Sequence, residues 1–378
     1  MANINDYLFW RGDLKFSERK FNELDALVLS RFSYLPFHKI SLCSGGNLGE
    51  ICENLANLSD DEFLWEGDKT LALNLAQSAR FGDLRVSDIE RDNDKEAIRQ
   101  FGALCIHLGE EEIFVSFIGT DNSILGWQED FNMAFLKELP CQISGLKYLE
   151  KIAQKYPHAR LKIGGHSKGG NVAIYSALLA NPSVHGRIIK VYNYDGPGFL
   201  PEFYEQNLSG EILSKIQTYI PNESIIGNLL SHKESIKIVQ SSAKLVFAHD
   251  IFSWEVGKED FIYAENLSNS SKIIDKTLSD FMQNTTATQR KIAIEAVFEL
   301  FNATSLDTFA QIPHNLPLAV PQILQKYKTV AKDDKKMIAN MLLQIASAYL
   351  ENLAKHTNDK IKDKRQSYKD KFKEKWQI

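Results

Sequence analysis

A glycine-rich turn between a strand-like run and a small-residue helix constrains the fold of this chain more than any other feature. Residues 164–170 read Gly-Gly-His-Ser-Lys-Gly-Gly, and they follow the strand-like run Leu161-Lys162-Ile163. Small residues two before and two after Ser167 let neighbouring backbone pass close to a sharp turn. A strand that feeds a helix in this way is typical of a parallel sheet covered by helices.

The rest of the chain repeats this alternation of strand-like and helical patterns. Two short apolar runs separated by Gly109 and three glutamates predict a hairpin. The strand-like runs lie at 103–107, 113–118, 161–163, 188–194, 215–220, 236–239 and 245–248. Patterns of helical period lie at 127–138, 141–156, 271–283, 288–301 and 333–355. The sequence therefore predicts an α/β fold with a mostly parallel central sheet flanked by helices.

The change in pattern along the chain predicts two parts. We expect a catalytic domain over residues 1–265, of which residues 1–100 form a largely helical N-terminal part. Beyond residue 270 the strand signals fade. We therefore expect a helical C-terminal extension over residues 266–378.

The glycine-rich turn carries the pattern G-x-S-x-G as Gly165-His166-Ser167-Lys168-Gly169. A serine at such a turn has an exposed hydroxyl, and the N-terminus of the following helix favours a developing oxyanion. Ser167 is thus the candidate nucleophile, and the N–H of Lys168 is a candidate oxyanion donor. A plain glycine-rich turn is the alternative. A phosphate-binding loop is disfavoured, because the order G-x-x-x-x-G-K-[ST] is absent.

Acyl transfer needs a second oxyanion donor, usually from the loop after an earlier strand. Here that loop is Gly119-Thr120-Asp121, directly after the strand-like run 113–118. Thr120 offers both its N–H and its hydroxyl. The alternative is a plain turn built on Gly119 and Asn122.

A serine nucleophile also needs a histidine base and an acid, in the chain order Ser, Asp or Glu, His for this fold. His249 follows the run 245–248, where a catalytic loop is expected, whereas His232 lies in a segment typical of a solvated helix end. Two acids are candidates. Asp195 ends the run 188–194 and is favoured, and Glu223 follows the run 215–220 as the alternative. His166 is expected to pack beneath the turn.

Several of these segments together resemble known families. Phe-Ile-Gly-Thr-Asp at 117–121, Trp127, Asp130 and the Gly-His-Ser-Lys-Gly-Gly turn resemble the class 3 (fungal-type) lipases. Residues 3–260 more closely resemble DUF2974, a bacterial family of lipase-like α/β hydrolases. The further segments that carry this likeness are Asp6–Leu8, Trp10–Asp13, Phe21–Asp25, Tyr194–Gly198, His249-Asp250 and Ser253-Trp254. Ile118 and Lys168 replace the arginine and leucine usual in the lipases, which weakens the expectation of a lipid substrate more than that of the chemistry.

The resemblance implies an α/β-hydrolase fold, and it favours His249 as the base. Together with the motifs it predicts a serine hydrolase that cleaves carboxylic esters through a Ser-Asp-His triad and an acyl-enzyme. The substrate is a small-molecule or lipid ester, and thioesters and amides stay open. The alternative is a catalytically degenerate hydrolase fold that serves in binding or scaffolding.

Composition limits the partners and the location. A formal net charge of −5 argues against nucleic acid, whose binding needs a clustered basic surface. No metal-ligand motif and no dinucleotide fingerprint is present, so we expect no metal and no cofactor. The N-terminus lacks the pattern of a signal peptide, and the four cysteines are predicted to be free thiols, with a Cys43–Cys52 bridge as the alternative. We therefore expect a cytoplasmic protein.

The lysine-rich segment 355–378 is predicted to be a solvated helix. Its sharper alternative is weak contact with a membrane surface, because Tyr368, Phe372 and Trp376 share one helical face. Acidic residues within the segment weaken that binding, and docking of a partner protein is equally open.

Overall fold

The architecture is that of a single sheet with helices on both faces. A computed structural model describes residues 1–40, 45–207, 209–304, 306–308, 311 and 315–353. Within them, eight strands form one sheet whose spatial order follows the chain order. The strands are β1 (Gly45–Asn47), β2 (Arg85–Asp94), β3 (Arg99–His107), β4 (Glu112–Phe117), β5 (Arg160–His166), β6 (Ile188–Tyr194), β7 (Ile216–Pro221) and β8 (Ser235–Val239). Strands β1 to β4 pair antiparallel and β4 to β8 pair parallel.

Helices cover the sheet on two sides and continue beyond it. They are α1 (Ile4–Arg11), α2 (Glu23–Phe32), α3 (Leu48–Ala56), α4 (Asp68–Ala76), α5 (Ile124–Asn132), α6 (Pro140–Lys155), α7 (Lys168–Leu179), α8 (Pro182–His185), α9 (Pro201–Asn207), α10 (Gly210–Lys215), α11 (Asn269–Asn284), α12 (Ala287–Asn302) and α13 (Leu316–Thr329). Residues 332–353 are also helical. The predicted α/β-hydrolase fold with C-terminal helices is thereby confirmed.

The sheet separates two apolar cores. Along β3, Leu104 and Ile106 pack into one core, while Ala103 and Cys105 pack into the other. Successive side chains of a strand point to opposite faces, so central strands buried on both faces are apolar almost throughout. Helices α1 to α4 contribute to the first core, and α6 and α7 contribute to the second.

The N-terminal part contains two strands that the sequence did not predict, beside its helices. It contains four helices, but β1 and β2 are strands that extend the antiparallel side of the sheet. The segment Arg85–Asp94 is rich in charged residues, and most of its outer half is exposed. A strand near the open side of a sheet buries few residues and therefore leaves little apolar alternation in the sequence.

Two further local expectations are wrong. Leu245–His249 is a 3₁₀ helix instead of a strand. Leu245, Val246 and Phe247 are 40%, 51% and 75% exposed, so the run is apolar without being buried. His232 does not lie at a solvated helix end, because its side chain is buried and its Nδ1 is 2.7 Å from Glu234 Oε1.

The C-terminal helices pack against the sheet-bearing part. Arg290 Nε donates to the carbonyl oxygen of Ala134 at 2.6 Å, and the N–H of Ile124 donates to the carbonyl oxygen of Asp307 at 2.8 Å. None of the described helices has the length and apolarity needed to cross a bilayer. Segment 355–378, with its proposed membrane-facing aromatic residues, and Cys43 lie outside the described residues. Cys52, Cys105 and Cys141 are free and buried.

Candidate active site

The candidate residues all lie at one edge of the sheet, where the parallel strands end. Thr120 follows β4, Ser167 follows β5, Asp195 follows β6, and His249 lies on the 3₁₀ helix beyond β8. The carboxyl ends of parallel strands meet at the same edge, which is where α/β sheets bind ligands. The chain order of the strands thus brings residues from distant segments together.

Ser167 occupies a strained turn between β5 and α7. Its backbone has φ 57° and ψ −135°, in the positive-φ region that residues with a side chain rarely adopt. A Cβ on Gly169 would lie 2.2 Å from the Phe117 carbonyl oxygen, and one on Gly165 would lie 2.4 Å from the Gly169 carbonyl carbon. The two glycines of the motif are therefore required by close packing of the turn against β4.

His249 and Asp195 form a close pair beside this turn. His249 Nδ1 is 2.6 Å from Asp195 Oδ2, and the carboxylate is fully buried. The His249 ring stacks obliquely on that of His166 at 4.4 Å between centroids. Of the two candidate acids, Asp195 is thus the one in contact with the candidate base.

The carboxylate of Asp195 is held on its other side as well. Asp195 Oδ1 accepts hydrogen bonds from Ser224 Oγ at 2.5 Å and from the N–H of Gly227 at 3.1 Å. The backbone of Asp195 has φ 50°, a second positive-φ residue at this edge. Non-glycine residues in this region persist only where the surroundings hold them, and they cluster at functional sites. Asn171 of α7 donates to the Pro197 carbonyl oxygen at 3.0 Å and so holds the turn after Asp195.

The alternative acid is engaged elsewhere. Glu223 Oε2 accepts a hydrogen bond from Ser268 Oγ at 2.9 Å, and no contact with His249 is found among the described residues. His232 pairs with Glu234. Neither residue joins the group around Ser167.

His166 packs beneath the turn, as its position in the sequence suggests. Its Nε2–H donates to the carbonyl oxygen of His249 at 2.9 Å, and Trp65 contacts its ring edge to face at 5.4 Å. Burial, with the nearby His249 and Arg31, lowers the pKa of His166 well below its ordinary value. A neutral imidazole therefore ties the loop of His249 to the strand that carries Ser167.

Two backbone N–H groups, those of Lys168 and Thr120, are the candidate oxyanion donors. Lys168 is the first residue of α7, so its N–H has no acceptor within the helix. Thr120 follows β4 beside this turn, since Gly169 lies against Phe117 and Gly119. The hydroxyl of Thr120 donates to Asp130 Oδ2 at 2.5 Å. That bond directs the hydroxyl proton to Asp130, which leaves the N–H as the donor that Thr120 offers.

The side chain of Lys168 turns into the protein interior. It is 1% exposed, and Nζ lies 2.9 Å from Glu129 Oε2 and 3.7 Å from Asp130 Oδ1. Burial opposes its charge, but Asp130 and Glu129 outweigh burial and hold the pKa of Lys168 above its ordinary value. The lysine that replaces the usual leucine is thus a charged group beneath the site.

Asp130 makes stability depend on pH. Burial, opposed chiefly by Lys168, raises the pKa of Asp130 to about 6, whereas an unfolded aspartate has a pKa of about 3.9. Between these values the folded chain holds a proton that the unfolded chain has lost, so the free energy of unfolding falls as pH rises from about 4 to about 6. We expect Asp130→Asn to remove this contribution, a difference in slope of at most about 1.4 kcal/mol per pH unit.

Urea denaturation of both proteins across this pH range measures the difference. Parallel profiles of wild type and Asp130→Asn would contradict the expectation.

Sequence reasoning missed the residues that hold the candidate site in place. Ser224 and Gly227 support Asp195, Asn171 supports the turn after it, and Glu129 pairs with Lys168. Asn171 and Glu129 adjoin the recognised motifs, so their positions carried some signal. Ser224 and Gly227 follow β7, where no sequence motif marked them. No cluster of three or more side chains suited to a metal ion is found among the described residues.

Comparison with known proteins gives one family and several remote structures. The model of the Mbeg1-like family matches residues 75–299. No curated protein has a significantly similar sequence. The DUF2974 resemblance stays a prediction.

The similar solved structures include three lipases. The native Rhizomucor miehei lipase propeptide complex is 16% identical with a TM-score of 0.32, over 42% of this chain and 57% of that chain. Lipase II from Rhizopus niveus is 12% identical with a TM-score of 0.35, over 49% of this chain and 74% of that chain. The Lip2 lipase from Yarrowia lipolytica is 11% identical with a TM-score of 0.32, over 58% of this chain and 80% of that chain.

Proposed function

The chain belongs to the Mbeg1-like family, and from that premise and the geometry of its site we propose that it is a serine hydrolase acting on carboxylic esters. Ser167 is the nucleophile, His249 the base and Asp195 the acid. The N–H groups of Lys168 and Thr120 form the oxyanion hole. The substrate is a small-molecule or lipid ester.

The observation that carries this proposal is the pair of His249 and Asp195 beside the strained serine turn. A buried carboxylate on Nδ1 fixes the imidazole tautomer and leaves Nε2 as the proton acceptor. Any buried histidine can be paired for structural reasons. Here, however, the pair lies at the carboxyl edge of the sheet, the His249 ring stacks on that of His166, the residue before Ser167, and the N–H of Ser167 donates to the carbonyl oxygen of Tyr194, the residue before Asp195.

The reaction proceeds in two halves. Ser167 Oγ attacks the ester carbonyl carbon while its proton passes to His249 Nε2, and the N–H groups of Lys168 and Thr120 stabilise the negative oxygen. The bond to the leaving alcohol breaks as His249 returns the proton to the alcohol oxygen, which leaves an acyl-enzyme. A water molecule then attacks this ester with the same proton transfers, releasing the acid and free Ser167.

Labelling by a fluorophosphonate probe tests the proposal, because such probes react with activated serines. We expect the wild type to be labelled on the peptide that contains Ser167 and to hydrolyse p-nitrophenyl esters. Ser167→Ala should abolish labelling and lower kcat by about 10⁵ to 10⁶. Ser183→Ala, which alters an exposed serine, is the matched control and should behave as wild type.

The contrary result is equally clear. A wild type that is neither labelled nor active would favour the binding or scaffolding function on a degenerate hydrolase fold. Labelling that persists in Ser167→Ala would show that another serine is the nucleophile.

A further inference from the structure

A fully buried lysine next to a serine nucleophile needs an explanation. An ammonium group loses several kcal/mol of hydration on burial, and an apolar side chain of similar size fills such a space at lower cost. Lys168 is nonetheless buried with Glu129, whose side chain is 0% exposed. Two carboxylates and one ammonium therefore lie together beneath the candidate oxyanion hole.

The members of this cluster bond to different segments of the fold. Glu129 Oε2 also accepts the N–H of Gln100 on β3 at 3.0 Å, and Glu129 Oε1 accepts the N–H of Cys141 on α6 at 2.9 Å. Asp130 accepts the hydroxyl of Thr120 at 2.5 Å. Lys168 joins both carboxylates to the first turn of α7. The cluster thus connects the residue after the nucleophile to the loop that carries the second oxyanion donor.

Removal of the Lys168 ammonium would leave the carboxylates of Glu129 and Asp130 without a counter-ion. Glu129 and Asp130 are sequence neighbours with no other basic side chain in ion-pair contact within the described part of the chain. Two buried carboxylates without a counter-ion repel each other, and the cheapest relief is protonation or movement. Asp130 is the more exposed of the two, with 21% of its side chain accessible. It would therefore move first and take Thr120 with it.

We propose that Lys168 is a positioning residue that sets both oxyanion donors, one through its own backbone N–H and the other through Asp130 and Thr120. The backbone of Lys168 supplies a donor to the oxyanion, and its ammonium fixes the loop 119–121 that supplies the other. The ammonium also offsets negative charge near the point where the transition state becomes anionic. This inference rests on the proposed function for its catalytic consequence, but the fixing of the loop does not depend on it.

One experiment tests the fixing of loop 119–121 separately from its catalytic consequence. Hydrogen–deuterium exchange of the peptide containing Gly119–Asp121 is measured in the wild type and in Lys168→Met, which keeps the backbone N–H and the side-chain length. We expect exchange there to rise at least about fivefold in the variant. Lys162→Met is the matched control, because Lys162 is also buried on β5 and pairs with Glu112 at the opposite end of the strand. It should leave exchange of this peptide unchanged.

Kinetics supply the second readout. For ester hydrolysis we expect Lys168→Met to lower kcat about 10² to 10³ fold with KM within about twofold, as for loss of one oxyanion donor. Lys168→Arg, which keeps the charge, should regain most of the lost kcat. Combining Lys168→Met with Thr120→Val should cost little more than the larger single effect, since both act on one donor.

The outcomes are distinct. Unchanged exchange at Gly119–Asp121 in Lys168→Met overturns the inference, whether or not the protein is an esterase. Faster exchange in Lys168→Met than in wild type, combined with a wild type that hydrolyses no ester, supports the positioning role and refutes the proposed function. Where Lys168→Met does not fold, Lys168→Gln, which keeps an N–H donor without the charge, replaces it and is judged by the same criterion.

Discussion

Asp195→Asn is expected to lower kcat for ester hydrolysis by about 10⁴ while the fold is retained. The reason is that the two oxygens of the Asp195 carboxylate have different partners. Ser224 Oγ and the N–H of Gly227 both donate to Oδ1, so an amide at this position must place its oxygen there. Its NH₂ group then faces His249 Nδ1 and donates to it. The imidazole proton moves to Nε2, and the base can no longer accept the proton of Ser167.

Steady-state hydrolysis of a p-nitrophenyl ester measures this loss, and thermal denaturation verifies the fold. Glu223→Gln is the matched control, because Glu223 is the other candidate acid and bonds to Ser268 instead. We expect its kcat to stay within about threefold of wild type. A large loss in Glu223→Gln with a small one in Asp195→Asn would reverse the assignment of the acid.

Asp68→Asn is expected to lower the free energy of unfolding by about 3 to 5 kcal/mol. Arg31 Nε donates to Asp68 Oδ1 at 2.6 Å, Nη2 donates to Oδ2, and both side chains are buried. The guanidinium also lies 3.9 Å from the ring centroid of Trp65. Without the carboxylate, a cation stays buried without its counter-ion, which costs far more than the loss of one hydrogen bond.

Urea denaturation at neutral pH gives the value. Asp83→Asn breaks an exposed pair with Lys15 and should cost less than about 1 kcal/mol. The double variant Arg31→Met with Asp68→Leu should be more stable than Asp68→Asn, because it removes both charges. Equal losses in Asp68→Asn and Asp83→Asn would show that burial of this pair has no energetic consequence.

The sequence predicted features whose signals are local. The turn at Ser167 and the hairpin of β3 and β4 depend on residues that are adjacent in the chain, so the pattern of glycines and apolar residues is sufficient. The family resemblance pointed to His249 and the end of the run 188–194 pointed to Asp195, and the fold brings these two residues into contact. The strand expected before His249 is a 3₁₀ helix, so that part of the reasoning was wrong.

The missed features depend on distant partners. The burial of the Lys168 side chain has no local signal, because its partner Glu129 lies 39 residues away in the chain. The segment Arg85–Asp94 reads as polar because only part of it is buried. Leu245–Phe247 shows the opposite case, since apolar residues there stay exposed and form no strand.

The chain order of the parallel strands has a consequence for synthesis of the protein. The nucleophile, the acid and the base leave the ribosome in that sequence, and His249 emerges 54 residues after Asp195. At about 5 to 20 residues per second, several seconds separate the last two. A chain interrupted between Ser167 and His249 holds the serine without its proposed proton acceptor. Fragments released during interrupted translation would therefore be inert towards the esters that the finished protein is proposed to cleave.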